Sequence, residues 1–566
     1  MPLVNRRDML LSLVAAASAV GSAVGPLRRV AAQQRLTEAE LLRFEPLGNI
    51  TLLHIADLHG QLMPIHLREP SADPAVWERS GLVPHLSGAD VLARFGIPIA
   101  SPAAHALTGD DFVTLAREYG RIGGLDCAAT VVKAVRAERG DGRVLLFDGG
   151  DTWQGSLGAN RTKGQDMVDC LKLLRPDAMT GHWEFTYGEK RVKQLIDALG
   201  YPFLALNVRD TEWDEPVFEP YRMFEKGGVK IAVLGQAFPF TAISHPRWMF
   251  PKWSFGIRED DIRATVDKVR KEGAEVVVLL SHNGLGVDRK LAGRVAGIDV
   301  ILTSHTHEPW PEVIEVGRTL LVAAGSHGKF VARLDLDVRN GEVKDFRFKL
   351  IPLFAEAIRP DPETSAAITT ARAPFVAELS RVIGHSESLL YRRGILEASF
   401  DDVICAALLA EGNAEIAFSP GFWWGTTVLP GTPITVEDIH NVTAISYPDV
   451  CRRSITGEQL NAILEGAADK VFNPDPYYQQ GGDMIRCGGL GYTIDPTKPA
   501  GQRISEMFVL RTGQPVQANK EYIVTGWACT NEGADGPPIW DVVEHHIART
   551  KIVRGEPASR VKVVGM

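Results

Sequence analysis

Short apolar runs, each stopping at a cluster of Asp, His, Gly, Ser or Asn, recur through the first half of the chain. Residues 50–55 run into Asp57-Leu58-His59-Gly60, and 144–147 into Asp148-Gly149-Gly150-Asp151. Residues 229–234 run into Gly235-Gln236, 276–280 into Ser281-His282-Asn283-Gly284, and 300–302 into Thr303-Ser304-His305-Thr306-His307. Such runs, β-branched and without polar alternation, predict strands buried on both faces. Helical periodicity over 128–138 and 261–271 falls between them, so the fold class is α/β, built in layers. The polar clusters lie just past the C-terminal strand ends, where open α/β sheets gather ligands.

Residues 66–118 break this rhythm with Pro, Ser and Gly, and read as an insertion that shapes the entrance to a site at those strand ends. The pattern divides the chain into a domain over 48–356, a linker helix within 357–382, and a smaller α/β domain over 383–566. Ahead of them, Arg6-Arg7 precede an apolar stretch over 10–24 and a small-residue site near Val30-Ala31-Ala32. Residues 1–32 therefore read as a twin-arginine leader, which predicts export of the folded protein to the periplasm and no membrane attachment after cleavage. The chain of 566 residues is long enough for several cores, and 45% hydrophobic with 23% charged residues is a globular composition. Its formal charge of −9 becomes about −12 without the leader, which argues against nucleic acid as a partner. A monomer is expected. Six scattered cysteines form no metal-binding pair, and buried free thiols are the expectation for all of them.

Five blocks carry the candidate chemistry: Asp57-x-His59, Gly150-Asp151, Gly181-His182-Trp183-Glu184, His282-Asn283 and His305-x-His307. Together they put seven oxygen or nitrogen ligands at the strand ends of one sheet, a set able to hold two divalent ions a few ångströms apart with one carboxylate between them. Carboxylate and imidazole without thiolate suit manganese, iron or zinc, and do not suit calcium. This order resembles the calcineurin-like metallophosphoesterases, and more closely their 5′-nucleotidase branch, in which a four-layer-type metallophosphoesterase domain precedes a substrate-binding domain. The resemblance implies that Asp57, His59, Asp151 and His307 hold one metal, and Asp151, His182, His282 and His305 the other.

One block departs from the family motif Gly-Asn-His-Glu/Asp. His182 stands at the Asn ligand and Trp183 at the His that faces a phosphate leaving group, and an indole cannot supply that proton or charge. The sequence Phe185-Thr186-Tyr187-Gly188, residues 472–484, Trp153-Gln154-Gly155 and residues 536–541 are similar instead to the SoxB thiosulfohydrolase family. That resemblance implies a two-manganese site, a SoxYZ-like sulfur carrier as partner, and hydrolysis of the carrier's cysteine thiosulfonate by metal-activated water with release of sulfate. It makes Asp151, His182 and Trp183 the catalytic residues, and Trp423, Tyr477, Tyr478, Asp483 and Arg486 the substrate-binding ones. Two positions differ from that family: Ser304 replaces a Gly, and Trp423 replaces an expected arginine, for which Arg486 could compensate. A nucleotidase-like phosphoesterase and a non-catalytic carrier-binding relative are the alternatives.

Overall fold

The computed structural model describes residues 36–70, 86–396, 398–530, 535–555 and 560–565, so the leader reading at 1–32 lies outside the described residues. Each apolar run forms a strand, and the side-chain alternation of those strands explains the layering. Along Val276–Ser281, Val276, Val278 and Leu280 point into a core shared with a facing sheet. Val277 and Leu279 point the other way, against Ile262, Val266 and Val269 of helix Glu259–Lys271 and Leu285 and Leu291 of helix Leu285–Ala292. A run that is uniformly apolar in sequence thus serves two cores, because consecutive side chains of a strand leave opposite faces. On the far side, helix Leu125–Arg139 covers the facing sheet, which gives the order helix, sheet, sheet, helix.

The first sheet has the strand order Glu342–Pro352, Phe330–Arg339, Ile50–Ile55, Val144–Asp148, Ala178–Met179. Ile50–Ile55 pairs parallel to Val144–Asp148, with Leu52 opposite Leu145, and antiparallel to Phe330–Arg339. The second runs Ile314–Val316, Thr319–Ala323, Val300–Thr303, Val276–Ser281, Val229–Gln236, Tyr221–Lys226, with its four central strands parallel. The expectation that the candidate ligands share one sheet is corrected here. Asp57, His59, Asp151 and His182 follow strands of the first sheet, and His282, His305 and His307 follow strands of the second. The site is the seam between two sheets whose parallel strands end on the same side.

Among the described residues, the insertion region contains three helices, Ala89–Phe95, Pro102–Leu107 and Phe112–Tyr119. The single linker helix is also corrected: Pro362–Arg372 and Val376–Leu379 are separate, because Pro374 cannot continue a helix. In the C-terminal region a four-stranded sheet of order Cys451–Thr456, Glu521–Gly526, Ile416–Ser419, Arg486–Gly488 packs with helix Ser399–Gly412. Its residues Trp424, Val442, Tyr447 and Trp527 share one apolar core with the first sheet, so the two regions meet through a packed interface. The cysteine expectation holds for Cys127, Cys170, Cys405 and Cys487, which are buried free thiols. It fails for Cys451 and Cys529, which form a disulfide across a sequence separation of 78. The sheet register brings them together, since Cys451 lies opposite Gly526 on the neighbouring antiparallel strand. Among the described residues, no helix is long and apolar enough to cross a membrane.

Candidate metal centre

The loops that follow Ile50–Ile55 and Val144–Asp148 are tied to each other through their backbones. Asp57 N–H donates to Gly150 O and His59 N–H to Asp151 O, each at 2.8 Å. A third loop joins from the second sheet, where His305 N–H donates to the Asp57 carboxylate at 3.0 Å. Asp57, His59, Asp151, His305 and His307 all have positive φ, between 47° and 84°. Non-glycine residues avoid that region, and a cluster of them marks a site whose side-chain directions are imposed by its surroundings. Crowding is equally tight at Gly149, where a Cβ would lie 1.9 Å from Ser304 Oγ. The residue that departs from the resembled pattern at 304 is accommodated by that glycine.

Seven side chains converge in two buried groups that share Asp151: Asp57, His59, Asp151 and His307 in one, Asp151, His182, His282 and His305 in the other. In each group the ligand atoms lie within 4.8 Å of one another. Asp151 Oδ2 is 3.3 Å from His182 Nδ1, 3.1 Å from His282 Nε2 and 3.7 Å from His59 Nε2. In the first group, His59 Nε2 and His307 Nε2 point at each other across 3.1 Å. Both ring nitrogens of His305 are buried with no hydrogen-bond partner among the described residues. Burial holds the His59, His182, His305 and His307 imidazoles below their usual range, which leaves them neutral with a free lone pair. Burial also pushes Asp57 up to about 7, whereas Asp151, although buried, is held well below the carboxylate range by His182 and His282. Burial opposes a proton on His282, but Asp151 and Asp57 overcome it and raise the group to about 10. Four neutral imidazoles, with His282 once an ion displaces its proton, and the Asp57 and Asp151 carboxylates converge in a buried pocket and fit borderline divalent cations.

Beneath the groups, the buried Glu184 carboxylate accepts N–H bonds from Asp151 (3.2 Å), Thr152 (2.6 Å), Trp153 (3.2 Å) and His182 (2.8 Å). One side chain therefore sets the backbone of two candidate ligands at once. Above them stands an aromatic wall. Trp183, only 4% exposed, meets Trp424 at 4.8 Å and Phe422 at 5.3 Å, both edge to face, and stacks with Tyr447. Trp423 lies 5.3 Å from His305 and 5.9 Å from His307, with its indole N–H donating to Asp483 at 2.9 Å. Gly481 passes so close to His305 that a Cβ would sit 2.2 Å from Nε2. Glu69, Val91 and Leu107 of the insertion region line the same pocket, which also contains Trp423, Asp483, His305 and His307.

The structure does not bring every candidate to this pocket. Arg486 is buried against Asp401 and Asp483, with further donors spent on the carbonyls of Ile395, Met484 and Gly394, so it cannot compensate at position 423. Tyr477 donates to Glu259 at 3.1 Å and lies under the Lys290 ammonium, a packing role between the two regions, and Tyr478 is 63% exposed. Neither lines the pocket. Two residues missed in the sequence do belong to the site. Arg393 stacks on Trp423, with its guanidinium carbon 5.0 Å from the ring centre, and lines the pocket beside His307. His327 packs 5.3 Å from His59, and its Nε2 accepts the Gly425 N–H at 3.2 Å, fixing the Trp423-Trp424 turn to the site. His327 follows the buried strand Thr319–Ala323, so the strand-end rule that found the other histidines would have found it. Nothing in the Arg392-Arg393 pair distinguishes the pocket residue from its neighbour, which is buried against Asp401.

Fold and site together define a two-domain hydrolase of the 5′-nucleotidase superfamily with candidate metal-binding groups. The model of the 5′-nucleotidase C-terminal domain matches residues 382–545. Rat 5′-nucleotidase is 23% identical over 76% of this chain and 81% of its own. A 5′-nucleotidase precursor from Thermus thermophilus shares the fold, with a TM-score of 0.74 and 21% identity over 92% of this chain and all of its own. The sulfate thiohydrolase SoxB of Thermus thermophilus superposes with a TM-score of 0.89 at 35% identity, covering 93% of this chain and 98% of that one. The chain belongs to the SoxB family.

Proposed function

We propose that the protein hydrolyses a protein-bound cysteine thiosulfonate and releases sulfate, acting in the periplasm on a SoxYZ-like carrier after twin-arginine export. The observation that carries this reading is Trp183: at the motif position where the resembled phosphatases carry a histidine, this chain has an indole closed into an aromatic wall. The net reaction takes R–S–S–SO₃⁻ and water to R–S–S⁻, HSO₄⁻ and a proton. The bond that breaks joins the outer sulfur to the sulfonate, and the departing persulfide leaves as an anion at neutral pH without a general acid.

Asp57, His59, Asp151 and His307 would hold one divalent ion and Asp151, His182, His282 and His305 a second, with manganese the expected metal. Such a pair supplies a water of lowered pKa and positive charge for the sulfonate oxygens. The protein's own groups supply the rest. Arg393, held over the Trp423 ring, presents a guanidinium to the incoming anion. Trp423, Trp424 and Phe422 exclude bulk water, which strengthens that contact. Glu184 keeps Asp151 and His182 in place without touching substrate.

Attack on the sulfonate sulfur puts one solvent oxygen into the product. A single turnover in ¹⁸O-water should give sulfate with one labelled oxygen, read by mass spectrometry. Unlabelled sulfate would rule out water attack at sulfur and with it this function.

A further inference from the structure

The His182 ring is held from a side that the seven-residue set does not explain. Its Nδ1 faces Asp151 at 3.3 Å, while Nε2 meets Ser244 Oγ at 3.3 Å. Ser244 Oγ in turn lies 2.9 Å from His245 Nδ1. His245 is buried, packs on Trp183 at 4.4 Å, and its Nε2 has no hydrogen-bond partner among the described residues. Ser244 and His245 sit on the segment that leaves strand Val229–Gln236. In that segment the Thr241 hydroxyl donates to Phe238 O at 2.8 Å, and Tyr447 of the C-terminal region donates to Ser244 O at 2.8 Å. Phe238 covers one face of the His182 ring at 4.0 Å.

The chemistry at position 182 gives this chain of contacts a purpose. An asparagine ligand offers its amide oxygen whatever surrounds it, but a neutral imidazole offers a lone pair at only one nitrogen. The partner of the other nitrogen decides which. With Nδ1 as the ligand atom, on the side of the shared carboxylate, Nε2 must carry the hydrogen, and Ser244 Oγ is placed to accept it. The serine's single hydrogen then goes to His245 Nδ1 at 2.9 Å or to Thr241 O at 3.3 Å, and either leaves Oγ able to accept from His182. We propose that Ser244, backed by His245, is a positioning residue that fixes the tautomer and orientation of His182 as a metal ligand. It is an outer support that histidine at this position requires and asparagine would not. This inference rests on the two-ion reading proposed above.

The test loads the full-length protein and its variants with Mn²⁺. Stoichiometry is read by elemental analysis, affinity by chelator competition, and the coupling between the ions by electron paramagnetic resonance. Ser244→Ala should bind the ion of the His182 group 10–100-fold more weakly and hold the other as before. Its spectrum should shift from that of a coupled pair toward that of isolated Mn²⁺. Ser244→Thr, which keeps the hydroxyl, should retain both ions, and the metal-free variants should melt with the wild type. Wild-type affinity in Ser244→Ala would overturn the proposal, as would equal loss in Ser244→Thr. A wild type that binds fewer than two ions would instead overturn the two-ion reading itself, and the inference with it.

Discussion

Asp151→Asn should yield a folded protein that binds neither ion firmly and has lost roughly 10³-fold or more of its sulfate release. The size of the effect follows from one atom. Asp151 Oδ2 faces His182, His282 and His59, while Oδ1 accepts the Trp183 N–H at 2.7 Å. An asparagine in the same rotamer keeps its oxygen on that N–H, so the local backbone is preserved. Its NH₂ then points at the imidazole lone pairs, where a donor cannot serve as a ligand. Both groups lose their shared anion, and the histidines lose the negative charge that made the pocket attractive to cations. Elemental analysis and a sulfate assay on the same preparation check this outcome. A variant with two bound ions and near-normal turnover would show that Asp151 is not the shared ligand.

Glu184→Ala carries the largest expected cost in stability. The carboxylate is buried and accepts four backbone N–H groups, all from residues that shape the site. Alanine leaves those donors unpaired in a dry interior, at about 1–3 kcal/mol for each before relaxation. Because neighbouring losses do not add, a net cost of about 3–5 kcal/mol is expected, comparable with breaking a buried ionic contact. In a melting experiment this should appear as a drop of roughly 10 °C, together with weakened metal binding. An unchanged melting temperature would mean that water or a shifted loop satisfies those donors, and that Glu184 does not organise the site.

The ligand-bearing strands were legible in the sequence because each is a continuous apolar run closed by a polar cluster, and strand ends are where α/β sheets collect chemistry. What the runs could not show was that they divide between two sheets, since uniform apolarity says only that both faces are buried. Val276–Ser281 makes the point: its alternate residues serve different cores, and nothing in their identity reveals which. Arg486 illustrates the opposite failure. The sequence offers it as a substitute for the arginine expected at 423, but the two carboxylates that bury it come from Asp483 nearby and from Asp401, far away in sequence. The Cys451–Cys529 bridge was hidden for the same reason, because strand register and not spacing brings the two residues together. The aromatic wall was half visible. Trp183 stood out against the resembled motif, but its contacts with Phe422, Trp424 and Tyr447 depend on how the C-terminal region docks.

The substrate itself provides the most direct measurement. Metal-loaded enzyme is offered AMP and, in parallel, a carrier protein bearing a cysteine thiosulfonate, and phosphate and sulfate are quantified under identical conditions. A phosphomonoester expels an alkoxide, which benefits from the acid that Trp183 cannot provide, and general acid catalysis is typically worth about 10²–10⁴-fold. Sulfate should therefore be released from the carrier adduct, with phosphate release from AMP slower by about that factor. Rapid phosphate release with the carrier adduct left intact would contradict the thiosulfonate reading and make the protein a nucleotidase.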